Sequence, residues 1–227
     1  MLQRWMQSWR QSTITNKFIA IASGIVAAAT VVYAIVAYWQ WQALLDSNKT
    51  NREALISVQR AFLTFNGFQP AVRVEHNGKT VFVITGMWEN SGNTPTPIAA
   101  GYANYNILTD QEFEKFDFRE AEGTAFSHTV IGPKQPALTG PLLVPEDDLN
   151  AVKLSAKHLI VWGWQVYKDV FWPETKPRLT EYCYDLKSLI VTENGKSTTL
   201  NLAACSRHNC ADEQCEDYDR LTSKLPQ

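Results

Sequence analysis

Residues 18–41, FIAIASGIVAAATVVYAIVAYWQW, form an uncharged and overwhelmingly apolar run of 24 residues. Nothing else in the chain constrains its architecture as much. At a helical rise of about 1.5 Å per residue, such a run crosses a hydrocarbon core of about 30 Å. The competing reading is a cleaved signal peptide, with Ala27 and Ala29 as a small-residue cleavage site. The apolar region of a signal peptide ends after about 7 to 15 residues, whereas here it continues through Val31, Val32, Ile35 and Val36. The segment is therefore predicted to be an uncleaved transmembrane helix. Tyr38, Trp39 and Trp41 cluster at its far end, where amphipathic rings favour the headgroup level.

Arg4, Arg10 and Lys17 precede the span without an acid among them, while Lys49 and Arg52 follow it, offset by Asp46 and Glu53. The excess on the leading side predicts a cytoplasmic segment at 1–17 and an outward C-terminal body. Leu2, Trp5, Met6 and Trp9 recur on one face of a short helix suited to the inner interface, with Arg4 and Arg10 toward lipid phosphates. A frayed terminus is the alternative. No Gly or Pro occurs from residue 25 to residue 66, so the helix is expected to continue as a stalk over 42–59. Leu44, Asn48, Asn51, Leu55, Val58 and Phe62 follow a three-four spacing. Two of these six are Asn and fewer than three heptads are covered, which falls short of a coiled coil. Ala20, Gly24 and Ala28 form a small-xxx-small ridge, a candidate contact for a partner helix in the membrane.

Beyond residue 60 the pattern changes from helical to alternating, with runs rich in Val, Ile, Thr and aromatics separated by Gly, Pro and Asn. Strands are predicted at 60–67, 79–89, 97–108, 124–131, 137–144, 158–170 and 178–191. The fold class implied is mainly β: an immunoglobulin-like antiparallel sandwich over 60–192, with a small barrel as the alternative. In the sixth strand Ile160, Trp162, Trp164 and Val166 share one face, the payload an inner sheet surface requires. Residues 145–152, PEDDLNAV, predict a short helical turn.

Two stretches carry a resemblance: WENSGNTPTPI, with Asn90, Gly92, Thr94 and Pro95, and YKDVFWPETKPRLTEYC, with Tyr167, Asp169, Phe171, Thr180, Tyr182 and Cys183. In these the chain resembles a group of uncharacterised proteobacterial single-pass membrane proteins with an outward β domain. That group pairs an Asn-x-Gly-x-Thr-Pro turn with a Tyr-x-Asp-x-Phe strand followed by Thr-x-aromatic-Cys. Where it carries a Gly and a His between Phe171 and Thr180, this chain has WPETKPRL. The resemblance implies a fold and a location, and no activity.

Four cysteines, Cys183, Cys205, Cys210 and Cys215, follow the span, with His208 between the second and third. An outward body lies in an oxidising compartment, which favours disulfides over zinc thiolates. Asn194-Gly195 is a hairpin signal after the last predicted strand. A two-residue turn there sets position 183 opposite 206, and one bulged residue brings it opposite Cys205. The pairing favoured is therefore Cys183 with Cys205 and Cys210 with Cys215, stapling a C-terminal extension, 193–227, to the domain edge. Each bridge is worth on the order of 2 to 4 kcal/mol. The competing reading takes Cys205, His208, Cys210 and Cys215 as metal ligands. Structural zinc sites space paired cysteines by two to four residues, and a second Cys-x-x-Cys half is missing. Without any Cys-x-x-Cys, thioredoxin-like chemistry has no sequence support either.

Residues 110–123, DQEFEKFDFREAEG, mix six carboxylates with Phe113, Phe116 and Phe118. The stretch is either an acidic recognition loop whose rings dock a partner or an inter-strand connection with a few buried rings; the ordered spacing of a calcium loop is absent. His76, His128 and His158 are scattered among strands, and no G-x-S-x-G, Walker A, G-x-G-x-x-G or H-E-x-x-H sequence occurs. Neither a catalytic residue nor a cofactor is predicted. Residues 61–227 hold 15 Lys and Arg against 21 Asp and Glu, a net of −6, which argues against nucleic acid as a partner. The function expected is a binding or scaffolding module, anchored in the bacterial inner membrane with its domain in the periplasm, that serves a membrane or periplasmic protein. The alternative is an envelope enzyme or metal-handling protein built on the Cys/His-rich C-terminal segment.

Overall fold

Helix α1 (Ile14–Gln59) runs for 46 residues without interruption. The computed structural model describes residues 14–120, 126–154, 157–191 and 197–225, so the interfacial reading of residues 2–9 lies outside the described residues. The chain divides into two compact units, Met1–Leu55 and Ile56–Gln227. In the first, Phe18, Ile21, Ile25, Val32 and Trp39 are all exposed, as is the whole apolar run apart from Ala37, and the helix is long and apolar enough to cross a membrane. Ala20, Gly24 and Ala28 lie exposed along it, and no atom stands within 4 Å of a Cβ built on Gly24.

The second unit is mainly β, as its alternating pattern predicts. In chain order its strands are β1 (Leu63–Phe68), β2 (Ala71–His76), β3 (Lys79–Ile84), β4 (Gly86–Asn90), β5 (Thr96–Thr109), β6 (Ser127–Ile131), β7 (Pro136–Leu138), β8 (Leu142–Pro145), β9 (Lys157–Lys168), β10 (Arg178–Val191) and β11 (Ser197–Ala204). Short helices α2 (Asp110–Lys115), α3 (Glu146–Leu154) and α4 (Tyr218–Thr222) complete it. Every pairing is antiparallel. One sheet has eight strands in the order β6-β5-β9-β10-β11-β2-β3-β8, and a second has three, β1-β4-β7.

The immunoglobulin-like sandwich is not confirmed at this level. In place of two facing sheets of similar size, one long sheet curls into half a barrel. Its long middle strands, of 12 and 14 residues, carry the right-handed twist far enough to bend the sheet around its own contents. Two of the predicted strands are each divided between the sheets: 79–89 becomes β3 in the large one and β4 in the small one, and 137–144 becomes β7 and β8. Strand β2 was not predicted. It turns into β3 through Asn77 and Gly78, with φ of 52° and 73° and with His76 opposite Lys79, the left-handed pair that a two-residue hairpin demands.

Alternation along β9 buries both of its faces. Leu159 and Val161 join Tyr182, Leu186, Phe82, Trp88 and Val144 inside the curl. On the opposite face Ile160, Trp162, Trp164 and Val166 pack with Phe118, Cys183, Cys215, Leu221 and Leu225. The tryptophan face is thus covered by the chain that follows β11 and by Phe118, rather than by a second sheet.

Candidate functional site

The most heavily constructed region is the passage from the last turn of α1 into β1, all of it within the second unit. A helix ends with carbonyls that lack intrahelical partners. Here Asn93 Nδ2 donates to Val58 O at 3.1 Å, while the N–H and hydroxyl of Ser91 donate to Phe62 O at 2.9 and 3.1 Å. Asn90 is fully buried; its Oδ1 accepts from the N–H of Phe62 at 3.2 Å and of Gly92 at 3.0 Å. Its Nδ2 donates to Thr94 O at 2.8 Å and Gly132 O at 3.1 Å. A Cβ on Gly92 would stand 2.3 Å from Arg60 O, so only glycine fits against the passing backbone. One residue further on, Leu63 N–H donates to the Tyr167 hydroxyl at 3.1 Å, and Leu63 O accepts from Thr180 Oγ1 at 3.0 Å. Burial pushes the Tyr167 hydroxyl up to about 12. Asn90, Gly92, Tyr167 and Thr180, which carry part of the resemblance described above, are scaffold residues of this socket. Asp169 shapes the neighbouring turn, its Oδ1 accepting from Phe171 N–H at 2.9 Å and from Thr175 Oγ1 at 2.7 Å.

The C-terminal extension is the second constructed region. Cys183 is bonded to Cys205 and Cys210 to Cys215, with Cα–Cα distances of 5.3 Å in both. In β10 and β11 the register from Val191↔Thr198 to Ser188↔Asn201 projects Cys183 onto 206; a bulge between Leu186 and Ser188 moves it by one, onto Cys205. Asn194 and Gly195, from which that register was reasoned, lie outside the described residues. The metal reading of Cys205, His208, Cys210 and Cys215 loses its sulfur ligands, because every cysteine is in a bridge. His208 instead sets Nδ1 2.7 Å from Oε2 of Glu181, a side chain only 4% exposed, and its ring lies against Phe118 with centroids 4.0 Å apart.

The acidic stretch holds this extension down. Glu120, its side chain 6% exposed, accepts from Arg220 at 2.8 Å, and Lys224 Nζ lies 3.5 Å from it. Asp217 accepts from Arg220 at 2.9 and 3.0 Å, a pairing that holds the Asp217 carboxyl below the usual carboxylate range despite partial burial. Arg207 donates to Glu114 O at 3.0 Å. Of the three rings proposed to dock a partner, Phe118 is a core residue, 3% exposed and edge-on to Trp162. The structure corrects that assignment: an apolar ring beside an open tryptophan face gains more by covering it than by standing in solvent. Phe113 and Phe116 are half-buried around Phe118 and the same cluster. Helix α2 starts at a capping box between Thr109 and Glu112, a T-x-x-E signal legible in the sequence but not used to predict a helix there.

A pocket of about 240 Å³ opens beside α2, lined among others by Asp110, Phe113, His158, Asp185, Cys205 and Ser206. His158 is bracketed within it, Nε2 lying 3.0 Å from Asp110 and Nδ1 2.8 Å from Asp185. Both ring nitrogens are thus engaged by carboxylates. The carboxylates also sit on opposite sides of the ring, so one cation cannot reach both together with a single ring nitrogen. His76 and His128 are exposed on β2 and β6. Comparison with family models, with curated proteins and with solved structures finds no match to this chain.

Proposed function

We propose that this chain is a single-pass protein of the bacterial inner membrane whose β domain stands in the periplasm and binds or braces another protein, as an accessory subunit of a membrane complex. The observation that carries the reading is α1: an uncharged apolar run and a last turn capped by Asn93 belong to one uninterrupted helix. Two disulfides support an oxidising compartment. The basic excess before the span supports a cytoplasmic N-terminus. The location implied by the proteobacterial resemblance agrees with both. Lipid surrounds the apolar run, the ridge of Ala20, Gly24 and Ala28 meets a neighbouring helix, and half-buried Phe113 and Phe116 border a second, periplasmic contact.

Two measurements test this. A phosphatase fused at residue 227 is expected to be active, since that enzyme folds only outside the cytoplasm. Cross-linking in cells before purification in mild detergent is expected to recover a stoichiometric membrane or periplasmic protein, with recovery lost when Gly24 is replaced by Leu. A silent phosphatase, or a chain that always emerges alone, defeats the proposal.

A further inference from the structure

The two disulfides are matched in exposure and differ in surroundings. Each joins a buried residue, Cys183 or Cys215, to a half-buried one, Cys205 or Cys210. The first closes a 22-residue separation and prolongs sheet pairing, with Cys205 N–H donating to Cys183 O at 3.0 Å. The second closes a separation of 5, for which loop-closure entropy is smaller. Among the described residues, only the second is grouped with a carboxylate: both sulfurs and an oxygen of Glu181 lie within 4.8 Å of one another. Glu181 is buried, its Oε2 beside His208 Nδ1 at 2.7 Å and its Oε1 without a hydrogen-bond partner.

That arrangement answers a specific chemical difficulty. A thiolate attacking a disulfide expels the other sulfur as a thiolate. A sulfur leaving into the apolar surroundings of Trp162, Phe118 and Leu221 does so as an unsolvated charge, unless a proton donor stands beside it.

We propose that Cys210–Cys215 is an exchangeable disulfide that reacts with a thiol, either a small molecule such as a glutathione-type thiol or a protein cysteine. The incoming thiolate bonds to Sγ of half-buried Cys210. The bond between the two sulfurs breaks, and Cys215 Sγ leaves with the electron pair, taking a proton from the Glu181–His208 pair. A second thiol attacks the mixed disulfide and releases Cys210. In sum two thiols are oxidised to a disulfide, and the bridge gains two electrons and two protons, those lost by the thiols. The proposal is independent of the scaffolding role.

The test uses the full chain in mild detergent, incubated with reduced glutathione, quenched with acid, alkylated and read by peptide mass. Cys210–Cys215 is expected to open at least about tenfold faster than Cys183–Cys205 while tryptophan fluorescence stays native. Glu181→Gln is expected to slow the opening of that bridge about fivefold or more, the other bridge serving as internal clock. His208→Asn, whose side chain tolerates the φ of 54° at that position, covers the case in which Glu181→Gln does not fold. A glutathione adduct on Cys210, and none on Cys215, is expected at early times. Equal rates at both bridges, or rates unchanged in the folded variants, overturn the proposal.

Discussion

The Asn90 carboxamide holds the N–H of Phe62 at 3.2 Å across 28 residues of sequence. Because the same oxygen also accepts from Gly92 N–H and the amide nitrogen donates to two loop carbonyls, one buried side chain ties together the helix exit, the 91–94 turn and the chain after β6.

Asn90→Ala leaves those donors and acceptors buried without partners, each omission costing about 1 kcal/mol or more. The expected loss is about 2 to 4 kcal/mol of unfolding free energy, measured by urea titration of the full chain in detergent with tryptophan fluorescence. A loss under 1 kcal/mol would mean that the loop relaxes and water takes over its hydrogen bonds.

Gly92→Ala tests the close approach. Three backbone atoms, Arg60 O, Ala61 Cα and Phe62 N, stand within 2.7 Å of the added carbon, and none is a flexible side-chain end. Destabilisation of about 2 kcal/mol or more is expected. Gly140→Ala, at a position with nothing within 4 Å, is the control and is expected to be neutral.

Tyr167 links stability to alkaline pH. Its hydroxyl keeps its proton up to about 12 in the folded chain, against 10.0 ordinarily, so it contributes fully below pH 10 and its contribution falls as pH rises from 10 to 12. The loss is on the order of 2 to 3 kcal/mol. Tyr182, buried against Phe65 with ring centroids 3.7 Å apart, is shifted the same way by burial. Tyr167→Phe is expected to cost about 1 to 2 kcal/mol at pH 7, by orphaning Leu63 N–H, and to flatten the decline between pH 10 and 12. Urea titrations at pH 7, 9 and 11 give both quantities.

Arg220 pins the end of the chain through Glu120 and Asp217. Arg220→Met leaves the little-exposed Glu120 side chain with Lys224 at 3.5 Å as its remaining cation, and is expected to cost about 2 kcal/mol and to speed proteolysis after residue 205. Pairing it with Glu120→Gln is expected to cost less than the sum of the two single changes. Strict additivity would show that the clasp carries no coupling.

Legibility followed the range of the interaction. The long helix was readable because an uncharged run without Gly or Pro has few other solutions, and the Cys183–Cys205 register followed from a turn signal and counting. Strand β2 was equally readable from Asn77-Gly78 between alternating runs, and was missed because Val72 and Val74 alone are a thin apolar signal in a run of six residues. The curl of the sheet was not readable, because it arises from twist summed over long strands rather than from any local residue choice. The burial of Phe118 was hidden for a related reason: it depends on Leu221 and Leu225 arriving from the far end of the chain, and 110–123 read alone is an acidic loop.

Leu221 and Leu225, 1% and 5% exposed, lie in the same cluster as Trp162 and Trp164. Because a polypeptide emerges from its N-terminus, this tryptophan wall stays wet until Leu221 and Leu225 have been delivered. A nascent chain stalled before residue 221 therefore presents a broad sticky surface to any holdase or protease nearby. A purification tag inserted upstream of Leu225 would prolong that exposure, whereas one appended after it would not.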